Sequence, residues 1–223
     1  MGGIRTALVD AVIAAIPVAL VYFSGWAYLT SYLGNFGIDA TQIDISFTTV
    51  LVYAFVPLQA FCVLSLFLLL AALTLAAFLF ELHAKDQNDK ANKTIASVIV
   101  FVSTVLFVCL LFVIKGAAVD AAKEMAHNVW KGSKSQSIPT LAGVGNDDKA
   151  NDMKAVAELY RTCRDGRRMR QIIGLPDQMF LMCRSDVDPC NRGTLFAVSK
   201  EGRIIYTADK VREDIDVEKI CTN

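Results

Sequence analysis

Residues 94–114 read TIASVIVFVSTVLFVCLLFVI, a segment that contains no Asp, Glu, Lys or Arg and lies between Lys93 and Lys115. About 20 predominantly apolar residues are enough for an α-helix to cross the roughly 30 Å hydrocarbon core of a bilayer. Helices in the core of a soluble domain rarely continue this long without a charged residue. The segment therefore predicts a membrane-spanning helix, and this prediction sets the fold class.

Two further runs, residues 11–38 and 45–80, also lack Asp, Glu, Lys and Arg. Because backbone polar groups in lipid must be hydrogen-bonded within their own segment, each run should be helical. We expect a transmembrane α-helical domain of residues 1–115 with three transmembrane helices, at about residues 8–32, 48–80 and 94–115. The centre of the second run, Phe61–Phe80, is the most apolar, and its milder start, Ile45–Ala54, is expected either to lie at the membrane interface or to extend one tilted helix. A hairpin of two helices is the less favoured alternative, because Pro57 alone would only kink a helix.

The composition agrees with this division of the chain. Mean hydropathy is +0.44 and 54% of the residues are hydrophobic, and most of this apolar excess lies before Lys115. The 22 basic and 22 acidic side chains give a net charge of zero, which disfavours a nucleic-acid-binding protein. The bilayer itself is the expected environment of the first half of the chain.

Small residues recur every four positions on the first predicted helix, and a second pair follows the third span. Rows of small residues allow helices to approach closely in lipid. They predict a helix-packing seam in a tight bundle or a homo-oligomer, and chance spacing of alanine is the alternative. Asp10, beside this seam, is expected at the membrane interface. The seam residues are Ala7, Ala11, Ala15, Ala19, Ala118 and Ala122.

The distribution of lysine and arginine predicts the topology. The first link, residues 31–44, contains neither residue, whereas the second link, residues 81–93, contains Lys85, Lys90 and Lys93. Short cytoplasmic loops collect lysine and arginine, so the second link should be cytoplasmic and the first should face outward. Three crossings then place the C-terminal domain in the periplasm of a bacterium whose inner membrane holds the chain. Four lysines soon after the third span oppose this prediction.

The cysteines favour the same orientation. Cys62 and Cys109 lie within predicted spans, and the other four lie within the last part of the chain, an even number that suggests two disulfides in a small extracytoplasmic domain. The spacing favours Cys183 with Cys190 and Cys163 with Cys221. A four-cysteine zinc site is the rival interpretation, but its usual CxxC pairs are absent, and we expect no metal or cofactor. The disulfide candidates are Cys163, Cys183, Cys190 and Cys221.

The last part of the chain predicts a helical stalk and linker, residues 116–145, and a small α+β domain, residues 146–223. A helix with Val156, Ala157, Tyr160 and Cys163 on one face should end at Gly166. Four strand-like runs follow, and the sequence Lys200-Glu201-Gly202 predicts a hairpin turn between the last two. The domain should therefore hold one helix and an antiparallel sheet. The runs are residues 169–173, 178–183, 194–199 and 203–207.

Five arginines at the end of this helix are the densest group of charges. Arginine binds phosphates and carboxylates through two parallel hydrogen bonds, so the group is a candidate site for an anion or an acidic partner. A solvated helix C-terminus, where cations also suit the helix dipole, is the plainer interpretation. No catalytic motif is present, and we expect no enzymatic activity. The candidates are Arg161, Arg164, Arg167, Arg168 and Arg170.

The sequence leaves three hypotheses for function. The leading one is a non-enzymatic inner-membrane subunit whose extracytoplasmic domain senses or binds an envelope-associated partner. It would signal to a cytoplasmic protein at residues 81–93, and such a layout would suit antiviral defence. The second is a membrane immunity protein against a membrane-active toxin. The third is an effector with a cytoplasmic C-terminal domain that binds a nucleotide and then disrupts the membrane.

Overall fold

The computed structural model describes residues 2–84, 90–133 and 151–212. It divides the chain into two compact units. The first contains the residues up to Gly34 together with Phe47–Ala122, and the second contains Asn35–Ser46 together with the residues from Lys123 onward. The described elements are α1 (Gly2–Gly34), a 3-10 turn (Ala40–Gln42), α2 (Phe47–Leu58), α3 (Phe61–Ala84), α4 (Lys90–Lys131), α5 (Asn151–Asp165), β1 (Met169–Gly174), β2 (Gln178–Arg184), β3 (Arg192–Ser199) and β4 (Ile204–Val211).

The helices of the first unit include segments long and apolar enough to cross a membrane. Among the described residues two single segments qualify, Ala15–Gly34 and Ser97–Lys131. The bent pair Phe47–Leu58 and Phe61–Ala76 adds a third if the two helices count as one span. By length and composition, the described residues therefore contain two or three segments that could cross a membrane, where the sequence predicted three. A helix suits such apolar segments because it satisfies their backbone polar groups within the segment, as a bilayer would require.

The second apolar run is not one helix, and the expectation of a single kinked helix is wrong. α2 and α3 meet at an angle of 93°. Pro57 has no N–H to donate to the carbonyl of Tyr53, and the chain then tightens, with the Ala60 N–H donating to the Pro57 carbonyl at 3.1 Å. A new helix begins as the Val63 N–H donates to the carbonyl of Ala60 at 3.0 Å. α2 thus ends just after the proline, at Leu58, and α3 begins at Phe61.

α2 packs closely on the second half of α1. Gly25 has no side chain, and its backbone lies directly against the carbonyl group of Val50. Beside it, the Ser24 hydroxyl donates a hydrogen bond to the carbonyl oxygen of Ala54 at 3.1 Å. Ser24, Gly25, Val50 and Ala54 are all buried. Small residues at a helix contact allow this approach. The contact therefore depends on residues that the sequence analysis did not include in the predicted seam.

The second unit holds the predicted α+β fold. Four antiparallel strands follow one another in the order β1-β2-β3-β4, and their bounds agree with the four predicted runs to within a few residues. α5 covers one face of the sheet, and Gly202 supplies the positive φ (80°) of the β3–β4 turn as predicted. The core between helix and sheet contains Tyr160, Cys163, Met169, Leu181, Cys183, Phe196 and Val198.

The end of α5 differs slightly from the prediction. The helix ends at Asp165, but the residue with a left-handed backbone is Arg167 (φ 55°), one position after Gly166. The Arg168 N–H donates to the Cys163 carbonyl and the Arg167 N–H to the Arg164 carbonyl, both at 3.0 Å. These two bonds form a Schellman motif, which satisfies carbonyl groups at the helix end. The motif turns the chain directly into β1.

Several predictions fall on residues outside the described part of the chain. They concern most of the linker before residue 146, the middle of the second link, and the C-terminal segment that contains Cys221.

Candidate functional site

Basic side chains collect on the sheet face that α5 leaves uncovered. Met169 and Cys183 belong to the core under α5, so Arg170 and Arg184, each one residue further along its strand, point to the other face. Lys210 lies on this same face, because Arg184 and Lys210 are both paired with Gly193 in one row across the sheet. One end of this face therefore carries several cations.

The end of α4 meets these cations. The Arg170 Nε–H donates to the Gly132 carbonyl oxygen at 3.3 Å, and the guanidinium of Arg184 lies against the same glycine. Gly132 has a φ of 74°, and an added Cβ would meet both guanidinium groups, so only glycine suits this position. Because the C-terminal end of a helix carries partial negative charge, cations are favoured there.

The first link and the last turns of α4 complete the arrangement. Gly37 of the first link lies beside the ammonium group of Lys210, and Phe36 stacks on Trp130 with ring centroids 6.4 Å apart. Arg212 lies 3.1 Å from His127 Nδ1. Both aromatic rings are buried, so Trp130 belongs to a small core. We call the cations on this face, with His127, the basic junction: Arg170, Arg184, Lys210, Arg212 and His127.

The positive charges of Arg170 and Arg184 repel each other within the basic junction. Burial lowers the pKa of Arg184, and the positive charge of Arg170 lowers it further. Within the described part of the chain, the hydrogen bonds of these two arginines end on carbonyl oxygens, those of Gly132, Arg167, Met169 and Pro189. An anionic group placed between the two guanidinium groups would reduce their repulsion and gain charge-assisted hydrogen bonds.

Two of the five arginines predicted as one anion site form ion pairs with nearby carboxylates. Arg164 pairs with its neighbour Asp165 at 3.1 Å, and Arg168 pairs with Asp186 at 3.6 Å. Only Arg170 belongs to the basic junction, where its neighbour is Arg184. Sequence spacing alone could not identify Arg184, Lys210 and Arg212, since their proximity requires the strand register. The predicted set is Arg161, Arg164, Arg167, Arg168 and Arg170, and anion binding by them stays a prediction.

The disulfide between two described cysteines has a different pairing from the favoured ones. Cys163 of α5 is bonded to Cys183 of β2, with their Cα atoms 5.8 Å apart. This excludes the favoured pairs Cys183–Cys190 and Cys163–Cys221. Cys190 is also disulfide-bonded, and Cys221 lies outside the described residues. The helix face that buries Cys163 lies on the sheet face that carries Cys183, which explains the bond physically.

The alanines of the predicted seam differ in their exposure. Ala15 and Ala19 are exposed within this single chain, whereas Ala118 and Ala122 are fully buried. The side chains of Ala7 and Ala11 are outside the described set. The role of the first-helix seam in an oligomer stays a prediction.

Replacing Tyr160 by phenylalanine is expected to stabilise the second unit by about 1 kcal/mol, because a buried polar group without a partner is costly. The Tyr160 hydroxyl is buried and has no hydrogen-bond partner within the described residues. Burial raises the pKa of Tyr160, although Arg164 opposes this. The folded state thus holds the proton more tightly, and this contribution is present below about pH 10 and is lost as the pH rises through the raised pKa.

Thermal unfolding of the detergent-solubilised chain between pH 7 and pH 11 would check this prediction. The variant should have a higher Tm at pH 7 and a flatter decline above about pH 10. Tyr206→Phe is the matched control, because Tyr206 is 52% exposed and should change neither quantity. An unchanged or lower Tm for Tyr160→Phe would contradict the prediction.

The helices and the sheet together define a chain of apolar helices joined to a small α+β domain. Within the described residues, no group of three or more His, Cys, Asp and Glu side chains could hold a metal ion. Comparisons with protein-family models, with curated proteins and with solved structures found no match for this chain.

Proposed function

We propose that the chain is an integral membrane protein whose C-terminal domain lies outside the cytoplasm and senses or binds an envelope-associated partner. Its helices would pass that event to a cytoplasmic protein that contacts residues 81–93. The protein acts by binding and transmission, without enzymatic activity. In a bacterium it would lie in the inner membrane, as a homo-oligomer, and antiviral defence is a process that this layout suits.

The observation that carries the proposal is the shared unit formed by the first link and the C-terminal domain. Asn35–Ser46 and the residues from Lys123 onward belong to one compact unit, with Phe36 stacked on Trp130. If the chain crosses the membrane three times, as we propose, these two parts lie on the same side of it. Because the first link contains no lysine or arginine, that side is the outside.

The disulfide supports the same orientation. Disulfides form and persist in oxidising compartments and are rare in the cytoplasm. Cys163–Cys183 lies in the core of the domain. The rival hypothesis of a nucleotide-binding cytoplasmic effector needs free thiols at these positions and is therefore disfavoured. The immunity-protein hypothesis remains compatible with the proposed orientation, and rescue from a neighbouring toxin would identify it.

α4 offers a path for transmission. It is one continuous helix from Lys90, in the second link, to Lys131, beside the basic junction. At 1.5 Å per residue its length is about 60 Å, enough to cross a bilayer and continue well beyond it. An anionic group of the partner that binds Arg170 and Arg184 would act on the last turn of this helix. We propose that such a change passes along α4 to its cytoplasmic end.

Cysteine accessibility in intact cells tests the orientation. The background is the Cys62→Ala and Cys109→Ala double variant, which removes the two cysteines that are free among the described residues. In this background, an impermeant maleimide should label a cysteine introduced at Gln42, in the first link, without lysis. A cysteine introduced at Asn88, in the second link, should be labelled only after lysis. The native cysteines of the domain should react only after external reduction.

The reverse pattern would overturn the proposal. If the second-link cysteine were labelled in intact cells and the first-link cysteine only after lysis, the domain would be cytoplasmic. The background variant without an introduced cysteine is the control for labelling of other residues.

A further inference from the structure

Three cations of the basic junction have no carboxylate partner. Arg170, Arg184 and Lys210 form no ion pair with any carboxylate in the part of the chain that the structure describes. Elsewhere in the same domain, Arg168 and Lys200 each pair with an aspartate. All three junction residues are half-buried, so part of each stays open to solvent. The junction therefore holds positive charge that the described residues do not compensate.

The outer nitrogens of the two arginines remain available to a ligand. Arg170 uses Nε and Nη1 in its hydrogen bonds to carbonyl oxygens, and Arg184 uses Nε in its bond to Pro189. Nη2 of Arg170 and both Nη atoms of Arg184 donate to no group among the described residues. Two of these nitrogens are neighbours, because a Cβ added at Gly132 would lie 3.1 Å from Arg170 Nη2 and would overlap Arg184 Nη1.

Lys210 supplies a third charge in the same row of the sheet. Arg184 and Lys210 are both paired with Gly193, so their Cα atoms are about 10 Å apart, twice the spacing of neighbouring strands. Gly193 has no side chain to separate the two cations. Lys210 Nζ lies beside Gly37 and makes no hydrogen bond with any residue that the structure describes. Two long side chains at this spacing can contact one small ligand between them.

We infer that Arg170, Arg184 and Lys210 together bind a phosphoryl group, either of a phosphate monoester or of free phosphate. Such a group carries about 1.5 to 2 negative charges at neutral pH and offers three strong acceptor oxygens. Arginine binds these oxygens through two parallel hydrogen bonds, and lysine binds phosphate as a point charge. A carboxylate has one charge and two oxygens, and would leave part of the positive charge uncompensated.

The site adjoins the last turn of α4, because Arg170 also donates to the Gly132 carbonyl oxygen. The inference thus gives the binding event of the proposed function a ligand class, and it rests on that proposal for its setting. The partner at the envelope presents a phosphoryl group, and that group binds beside the end of α4. Binding itself depends on the junction alone and not on which side of the membrane holds the domain.

Isothermal titration calorimetry of the full-length chain in a neutral detergent tests the inference, with inorganic phosphate as the first probe. A short-chain phosphatidate, which carries a phosphate monoester on a lipid, is the second probe, and phosphatidylcholine with the same chains is its control. Saturable binding of either probe is expected. Tighter binding of phosphatidate would identify a lipid headgroup as the source of the phosphoryl group, and the reverse order would identify a free phosphate.

Variants connect the binding to the junction. Arg170→Gln combined with Arg184→Gln should weaken binding about a hundredfold, because the charge-assisted hydrogen bonds lost at each site are worth about tenfold. Lys210→Gln should weaken it about tenfold, and this side chain makes no described hydrogen bond that folding could need. Arg192→Gln combined with Arg203→Gln is the matched control, because it removes the same charge from two exposed residues of the domain.

Equal affinities of the junction double variant and the control double variant would overturn the inference. Acetate that binds as tightly as phosphate, or the absence of binding by both phosphate and phosphatidate, would overturn it equally. A cysteine-labelling pattern that places the domain in the cytoplasm would contradict the proposed function, whereas phosphate binding by the junction in that same chain would still support the inference.

Discussion

Replacing both Cys163 and Cys183 by alanine is expected to lower the free energy of unfolding of the second unit by about 3 kcal/mol, since a bridge that closes a loop of this length restricts the unfolded chain by about that amount. The bond joins residues 20 positions apart, and both sulfur atoms belong to the core between α5 and the sheet. For a domain of this size the Tm should fall by roughly 12–24 °C.

Differential scanning of the full-length chain in a neutral detergent would measure this change. The Cys62→Ala and Cys109→Ala double variant is the matched control, because it also removes two sulfur atoms but breaks no bond. Reductant should lower the Tm of the wild-type chain at least as far as the double substitution does. A Tm equal to that of the control would show that the bridge contributes nothing to stability.

The strands could be predicted because their signals are local. Residues 178–183 and 194–199 are short apolar runs, and Gly202 marks the turn that follows the second of them. The pairing β2–β3 then matches residues in register from Gln178 with Ser199 to Arg184 with Gly193. Such runs form a sheet in almost any arrangement of the rest of the domain, because the turns bring them together in chain order.

The disulfide pairing could not be predicted because it is not local. The short distance in sequence favoured Cys183 with Cys190, but α5 crosses the sheet so that Cys163 lies over Cys183. Which helix residue lies over which strand depends on packing between Tyr160, Phe196 and their neighbours. The basic junction escaped prediction for the same reason, since Arg170 and Arg184 come together only through strand register.

The part of α1 that lies in lipid is a third feature that could not be predicted from the sequence alone. Composition showed that residues 11–38 are uncharged, but about 20 residues are enough for a crossing, so the run does not say which of them lie in lipid. Leu20 belongs to a buried cluster with Leu110 and Ile114 of α4. The second half of α1, from Ser24 onward, instead packs on α2.

Replacing Gly25 by leucine is expected to separate α1 from α2 and to destabilise the helical unit by about 3 kcal/mol or more, since overpacking a tight contact costs about 1–3 kcal/mol and this contact is with backbone. A Cβ at position 25 would overlap the Val50 carbonyl oxygen and lie 3.0 Å from Val50 Cγ1. The carbonyl group cannot rotate away as a flexible side chain could. Even alanine should therefore be destabilising here.

Gly34→Leu and Gly116→Leu are the matched controls, because nothing lies within 4 Å of an added Cβ at either position. The thermal midpoint of aggregation in detergent should fall strongly for Gly25→Leu, less for Gly25→Ala, and little for the controls. Separation of the helices should also expose Ser24, whose hydroxyl is now bonded to the Ala54 carbonyl. A cysteine placed at Ser24 should react slowly with a maleimide in the Gly116→Leu chain and quickly in the Gly25→Leu chain. Equal midpoints and equal rates would mean that α1 and α2 do not meet at Gly25, and the assignment of residues beyond Ser24 to this helix contact would have to be withdrawn.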